Sequence, residues 1–445
     1  MRILTAPHGQ DAPRQPGADS GTEVFETLES EVRSYSRRFP AVFATARGAV
    51  LTDETGREYL DFFCGSGALN LGHNPPALKA RLLEYLAADG LTHGLDLFTV
   101  AKRDFLTALR SSVLAPRGLS HKVQFCGPTG TNAVEAALKL ARKATGRSTV
   151  VSFYGGFHGV SGGSLAVTGD RATRAAAGTE LHHTVFVPYP DGPTGEFDSV
   201  GLLERMVADT SSGVQLPAAV ILEPVQSDGG IYCATPEFLR ALREFTERHG
   251  ILLIADEIWT GCGRTGDFFG FEESGIVPDL ITLSKSISGY GLPLSLLLIA
   301  PHLDVWAPGE HSGTFRGNQL AFVTGAAALR YWSDQRFLDQ LSANAVVLSS
   351  WADQVRSETG LAVRGRGPAL GVDTADPRWA DRVQRRCFER GLVIERCGRR
   401  DEVLRVLPPL TIGLLDLDRG LALLLDAIQA TAPDRPHQGG LDGRD

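Results

Sequence analysis

A chain of 445 residues exceeds what one hydrophobic core organises, so two or three domains are expected. With 43% hydrophobic and 22% charged residues and a formal net charge of −8, the composition is globular. It excludes a disordered chain and a nucleic-acid footprint, which needs a concentrated basic face. The six cysteines (Cys64, Cys126, Cys233, Cys262, Cys387 and Cys397) stand far apart with no CxxC pair, a pattern of reduced thiols and not of a disulfide framework or metal site.

Along the chain, Met1–Gly21 lacks an apolar core of signal-peptide length and is expected to be a mobile arm. Phe25–Ser36 has a helical pattern. Short strands are expected at Val42–Phe43, Ala49–Leu51 and Glu58–Phe63, with a turn at Asp53–Gly56. From there β-branched and apolar runs alternate with helical segments. The runs are Thr149–Phe153, His183–Val187, Ala218–Leu222, Ile251–Ala255, Asp279–Leu283 and Leu294–Ile299; Thr131–Ala144 and Pro236–His249 are the clearest helices. Such alternation implies an α/β architecture with a mostly parallel sheet covered on both faces. After about Gly325 the pattern becomes a long helix followed by Ala362–Arg364, Ala369–Asp373, a helix to Glu389, Leu392–Glu395, Arg405–Leu407 and a last helix from Leu417. The expected division is an arm (1–22), a large domain (71–325), a smaller α+β domain made of 23–70 and 326–431, and a disordered tail (432–445). The longest apolar stretch, Leu292–Ala300, is too short to span a bilayer, so a cytoplasmic location is expected.

Three apolar runs end in functional groups: Glu223 after Ala218–Leu222, Asp256 after Ile251–Ala255, and Lys285 after Asp279–Ser284. Ligands of open α/β sheets bind beyond the carboxyl ends of the strands, where these groups can meet. A buried carboxylate opposite a lysine is either a structural ion pair or a lysine imine to an aldehyde cofactor, with Asp256 keeping the ring nitrogen protonated. Gly127–Asn132 runs directly into a helix, either as an ordinary cap or as a phosphate cradle made by Gly130, Thr131 and Asn132. It lacks the lysine of a nucleotide-hydrolysing loop. Phe157, with His158 beside it, is a core aromatic or a lid stacked on a flat ring. Arg405 can fork onto a carboxylate or be a solvated strand residue.

Taken together, Glu223–Gln226, Asp256–Gly261, Gly263–Gly266 and Ser284–Lys285 resemble, in order and spacing, the class III (ω-amino acid) aminotransferases of fold type I, from about Glu29 to Ile412. The resemblance implies a large domain with a mostly parallel seven-stranded sheet and pyridoxal 5′-phosphate as cofactor. Lys285 would hold it as a Schiff base, Asp256 would pair with the pyridine nitrogen, and Gly130, Thr131 and Asn132 would take the phosphate. Phe157 would stack on the ring, and Thr314 would reach the phosphate in a neighbouring subunit, so a homodimer or higher homo-oligomer with sites at the interface is expected. Val32–Arg37, Gly67–His73, Leu91–Asp96, Gly127–Asn132, Ser284–Gly291, Pro308–His311 and Thr314–Asn318 are similar to the subgroup that moves the terminal amine of L-2,4-diaminobutyrate onto 2-oxoglutarate and opens ectoine synthesis.

The resemblance also implies that Arg405 binds the α-carboxylate of glutamate and that Asp228, one methylene shorter than the usual Glu, pairs with it and swings away. Two positions depart from the pattern. Trp259 stands where many relatives place a glutamine on the cofactor's phenolic oxygen, and Val160 stands where many hold a distal carboxylate with arginine. Arg37 or Arg38 is the expected substitute. An ornithine- or lysine-type transaminase and a non-catalytic protein of the same fold stay open as alternatives.

Overall fold

A computed structural model describes residues 21–433 except 194. All but the inner ends of the expected N-terminal arm and C-terminal tail therefore lie outside the described residues. Three strands come first: β1 (Phe43–Arg47), β2 (Val50–Asp53) and β3 (Glu58–Asp61). The helix expected over Phe25–Ser36 is broken, with turns at Glu23–Leu28 and Tyr35–Arg38. Between them the Ser30 hydroxyl accepts from the Val32 N–H, and the Arg33 guanidinium donates back to the Phe25 carbonyl. A side-chain acceptor this close competes with the helical ladder and ends it.

The large sheet has seven strands: β4 (Lys122–Phe125), β5 (Val150–Phe153), β6 (Thr184–Val187), β7 (Ala219–Leu222), β8 (Leu252–Asp256), β9 (Leu280–Leu283) and β10 (Leu296–Ile299). Their spatial order is β4-β10-β9-β8-β7-β5-β6. From β9 across to β6 all neighbours are parallel; β10 runs antiparallel to both β9 and β4. Every residue of β5, β7, β8, β9 and β10 is buried, as expected of strands covered by helices on both faces. The cover includes α1 (Gly130–Thr145) and α2 (Pro236–His249). The limits of α2 follow from local chemistry. Thr235 caps its start by accepting from the Phe238 N–H, Pro236 fits the first turn, and Gly250 closes the end at φ +59°.

The rest of the chain builds a second core. The helices α3 (Gln335–Thr359), α4 (Pro377–Glu389) and α5 (Leu414–Ala430) pack with β11 (Ala362–Arg366), β12 (Ala369–Asp373), β13 (Leu392–Val393), β14 (Glu395–Cys397) and β15 (Val403–Val406). An antiparallel sheet has the order β11-β12-β15-β14, while β13 joins β3 in parallel and so ties the N-terminal strands to the C-terminal unit. Strand alternation sorts β15. Leu404 and Val406 enter the second core, while Val403 packs with Val225, Ile231 and Trp259 and Arg405 reaches Ser227 and Asp228, all in the segments beyond the large sheet's strand ends.

Candidate active site

The parallel strands bring the expected groups together at their carboxyl ends. Asp256 closes β8 and is in register with Thr282 on β9; Lys285 stands just beyond β9, Glu223 just beyond β7, and Phe157 in the loop after β5. Asp256 is buried and held from three sides. Its Oδ1 accepts from the Ile258 N–H at 3.1 Å and the Thr282 hydroxyl at 3.0 Å, and its Oδ2 lies 2.6 Å from the His158 Nδ1. Burial opposes a charge on His158, but the hydrogen bond and charge of Asp256, aided by Glu223, raise its pKa. His158 thus stands behind Asp256 and fixes its orientation.

Lys285 has no hydrogen-bond or ion-pair partner among the described residues, and its backbone adopts φ +34°, a conformation costly for a side chain with a Cβ. Burial lowers its pKa; Asp228 opposes that shift, Arg405 adds to it, and Glu395 and Glu223 oppose it. A lowered pKa makes the neutral amine, the nucleophilic form, easier to reach than in water. Glu223 accepts from the Phe157 N–H at 2.9 Å and the Ser227 N–H at 3.1 Å. Burial pushes its carboxyl up to about 7, with His158 pulling the other way.

At the start of α1 the Asn132 Oδ1 accepts from both the N–H and the hydroxyl of Thr129, so part of the expected cradle is a cap. Gly130 and Thr131, first and second in the helix, keep N–H groups without helical partners. Gly130 is needed for close approach, because a Cβ there would lie 2.9 Å from Ile258, two residues past Asp256. Several buried polar atoms near these groups have no partner: His158 Nε2, Gln226 Oε1, Trp259 Nε1 and Arg405 Nε. An unpartnered lysine, a fixed carboxylate, a helix start and orphaned polar atoms at one end of the sheet fit an aldehyde-bearing, phosphorylated heterocycle such as pyridoxal phosphate. Trp259 is 4% exposed and packs with Val225, Ile231, Cys397 and Leu407. Its indole N–H has no acceptor among the described residues.

Arg405, 1% exposed, is met by more groups than expected. Its Nη1 donates to the Ser227 hydroxyl and, at 3.1 Å, to the Asp228 Oδ1. Its Nη2 donates to the Ser66 hydroxyl at 3.1 Å and to the Glu395 Oε2. Burial works against the charge, yet Glu395 and Asp228 raise the pKa and keep Arg405 cationic. The sequence reading passed over Glu395, Ser66 and Ser227. A Glu within an otherwise apolar run was the available signal for Glu395, which is the cross-strand partner of Arg405. Ser66 belongs to a left-handed turn, with Cys64, Gly65, Ser66 and Gly67 at φ +49°, +56°, +55° and +83°. Non-glycine residues seldom adopt this backbone, and the Ser286 hydroxyl beside Lys285 anchors it by donating to the Gly67 carbonyl.

Other expected residues stay apart within one chain. Arg37 is half-exposed and paired with Glu31, and Arg38 reaches Asp401 at 3.0 Å. Val160 is exposed, and Thr314 sits in an exposed turn with its carbonyl 3.0 Å from the His93 Nε2. Among the described residues no helix is long and apolar enough to cross a membrane.

An open α/β sheet with a lysine, a carboxylate and a helix start at its strand ends is the framework of a fold-type-I transaminase. The chain belongs to the aminotransferase class-III family, which it matches over residues 32–428. Over 418 residues, 93% of this chain and 95% of the other, it is 53% identical to a diaminobutyrate–2-oxoglutarate transaminase of Bordetella parapertussis. It is 54% identical to a protein of the same name from Streptomyces anulatus, over 92% of this chain and 98% of that one. Among solved structures, the ornithine aminotransferase of Toxoplasma gondii, recorded with partial occupancy of pyridoxal phosphate, aligns with a TM-score of 0.79 at 26% identity, covering 91% of this chain and 93% of that one.

Proposed function

We propose that the protein transfers the terminal amine of L-2,4-diaminobutyrate to 2-oxoglutarate with pyridoxal 5′-phosphate, giving aspartate 4-semialdehyde and glutamate. The observation that carries the chemistry is the unpartnered Lys285 just beyond the strand adjacent to the one that the immobilised Asp256 closes. The identity of half or more with two transaminases of that name supports the substrates. When bound, the cofactor supplies a carbonyl for imine exchange and a ring that accepts the electron pair of the donor carbon. Lys285 Nζ, its pKa lowered by burial, would hold the cofactor's aldehyde carbon and would serve as the base at the amine-bearing carbon. Asp256 would hold positive charge on the pyridine nitrogen, with His158 and Thr282 keeping it in place. Gly130 and Thr131 would hold the phosphate with N–H and hydroxyl groups and Asn132 with its side-chain amide, Phe157 would cover the ring, and Glu223 fixes Phe157 by accepting from its N–H. Trp259 walls the crevice, and Arg405 receives the acceptor's carboxylate when Asp228 moves away.

The same reading places residues 71–325 in a cofactor-binding domain and 23–70 with 326–431 in a smaller one. It puts Thr314 on a neighbouring subunit's phosphate, and the exposed Leu95, Leu97, Phe98 and Phe315 support a homodimer that covers them. A role in ectoine synthesis in the cytoplasm is the pathway and place consistent with these substrates.

Titration of the holoenzyme with diaminobutyrate, ornithine, lysine, 4-aminobutyrate and glutamate, followed by the cofactor's visible absorbance, tests the assignment. Diaminobutyrate and glutamate are expected to convert the band, and the others to do so far more slowly. Conversion by ornithine or lysine in place of diaminobutyrate overturns the substrate while leaving the chemistry.

A further inference from the structure

Two carboxylates share one buried guanidinium, and they differ in burial. The Glu395 side chain is 4% exposed and that of Asp228 is 43% exposed. Glu395 lies directly across from Arg405 on paired strands and accepts also from the Ser66 hydroxyl at 3.2 Å, whereas Asp228 sits in the loop after Gln226. Withdrawing Glu395 would strand a charge in the protein interior, while Asp228 can turn into water at small cost. The two edges of the guanidinium are therefore unequal: the Nη2 edge is closed by Glu395 and Ser66, and the Nη1 edge can open.

We propose that Glu395 is a positioning residue for the acceptor half of the reaction: a permanent counter-ion that fixes Arg405 and lets Asp228 leave. This rests on the transamination proposed above. With Glu395 in place, departure of Asp228 leaves a neutral pair, and an arriving carboxylate restores the earlier charge. Without it, nothing charged pins the Nη2 edge, so the guanidinium follows Asp228 instead of releasing it and no longer waits where the substrate's carboxylate arrives. The amine half of the reaction, in which the reacting carbon of the diamine carries no carboxylate, proceeds with Asp228 in place and needs no exchange at Arg405, so Glu395 touches it only through its weaker charge effect on Lys285.

The test uses holoenzyme variants in separate half-reactions, read by cofactor absorbance. Glu395→Gln is expected to raise the concentration of glutamate or 2-oxoglutarate needed for half-saturation by about tenfold or more, and to change the half-reaction with diaminobutyrate less than about threefold. Glu395→Asp, which keeps the charge, is expected to recover most of the loss. Adding Asp228→Ala to Glu395→Gln is expected to return the half-saturation value toward wild type. Equal loss in both half-reactions, or no recovery in the double variant, overturns the proposal and makes Glu395 merely structural. An unchanged acceptor half-reaction in Glu395→Gln overturns it as well. If diaminobutyrate fails to react with the wild type, the donor assignment is wrong, but the glutamate arm still decides the role of Glu395.

Discussion

The crevice contains two buried ionic constellations built on different plans. Around Asp256 a single carboxylate meets a histidine, a hydroxyl and an N–H, and all of them belong to the large sheet or the loops leaving it. Around Arg405 a single cation meets two carboxylates and two hydroxyls drawn from Ser66, the adjacent Ser227 and Asp228, and Glu395, three stretches far apart in sequence. The first has no loose member. The second has one, Asp228, exposed while its competitor is not. A group that must hold the same charge through every step suits the first plan. A site that admits a substrate carboxylate in one half-reaction and hides its cation in the other suits the second. Immobility and exchange are thus separated between two sheets, and the same low-dielectric surroundings serve both.

The comparison makes its largest prediction at the residue between the two plans. Replacing Lys285 with Ala removes both the anchor of the aldehyde and the base. Turnover is expected to fall by about 10³-fold or more, with loss of the lysine-dependent visible band while the far-ultraviolet circular dichroism stays unchanged. An active, coloured Lys285→Ala enzyme would remove Lys285 from the chemistry. Asp256→Asn comes next. Asparagine preserves the shape and one acceptor for Thr282 but removes the charge, so both half-reactions are expected to slow together by about 10²-fold. Unlike Glu395→Gln, it should show no preference between donor and acceptor. A selective effect on one half-reaction would show that the fixed and exchanging constellations are not separate.

How much of this was legible in the sequence differs between the two regions. Strand ends carrying Asp256 and Lys285 announced themselves because fully buried strands are mostly apolar runs, and the charged residues just at or past their ends stand out. The helix Pro236–His249 was legible to its last residue because its cap, its proline and its closing glycine are local signals. The strand Lys122–Phe125 escaped notice: it is four residues long, and Lys122 and Gln124 interrupt its apolar pattern. Nor does any local signal show that Leu296–Ile299 runs against its neighbours, since direction is set by the path of the chain. Glu395 and Ser66 were not legible as site residues because their role comes from a cross-strand register and a left-handed turn, both products of tertiary packing.

A third buried carboxylate, one residue beyond Asp256, gives the smallest and most controlled comparison. Glu257 leaves the strand on the other side and has no ion-pair partner among the described residues. The Thr260 hydroxyl and the N–H groups of Gly270 and Phe271 are its donors, the last two at 2.9 and 3.2 Å. Burial dominates these donors and lifts its pKa from 4.5 to about 7. Between those values the folded protein binds a proton that the unfolded chain has released. The contribution of Glu257 to stability is therefore complete below pH 4.5 and is lost as the pH rises through 7. Glu257→Gln has no such dependence. The difference in unfolding free energy between wild type and variant, measured by denaturant titration, is therefore expected to shift in favour of the variant by on the order of 2 kcal/mol between pH 5 and pH 8. Glu223, whose carboxyl is also lifted to about 7, keeps its own share of the pH dependence in both proteins and cancels from the difference. A constant difference across that range would mean that the hydroxyl and the two N–H donors offset the burial of Glu257 in full.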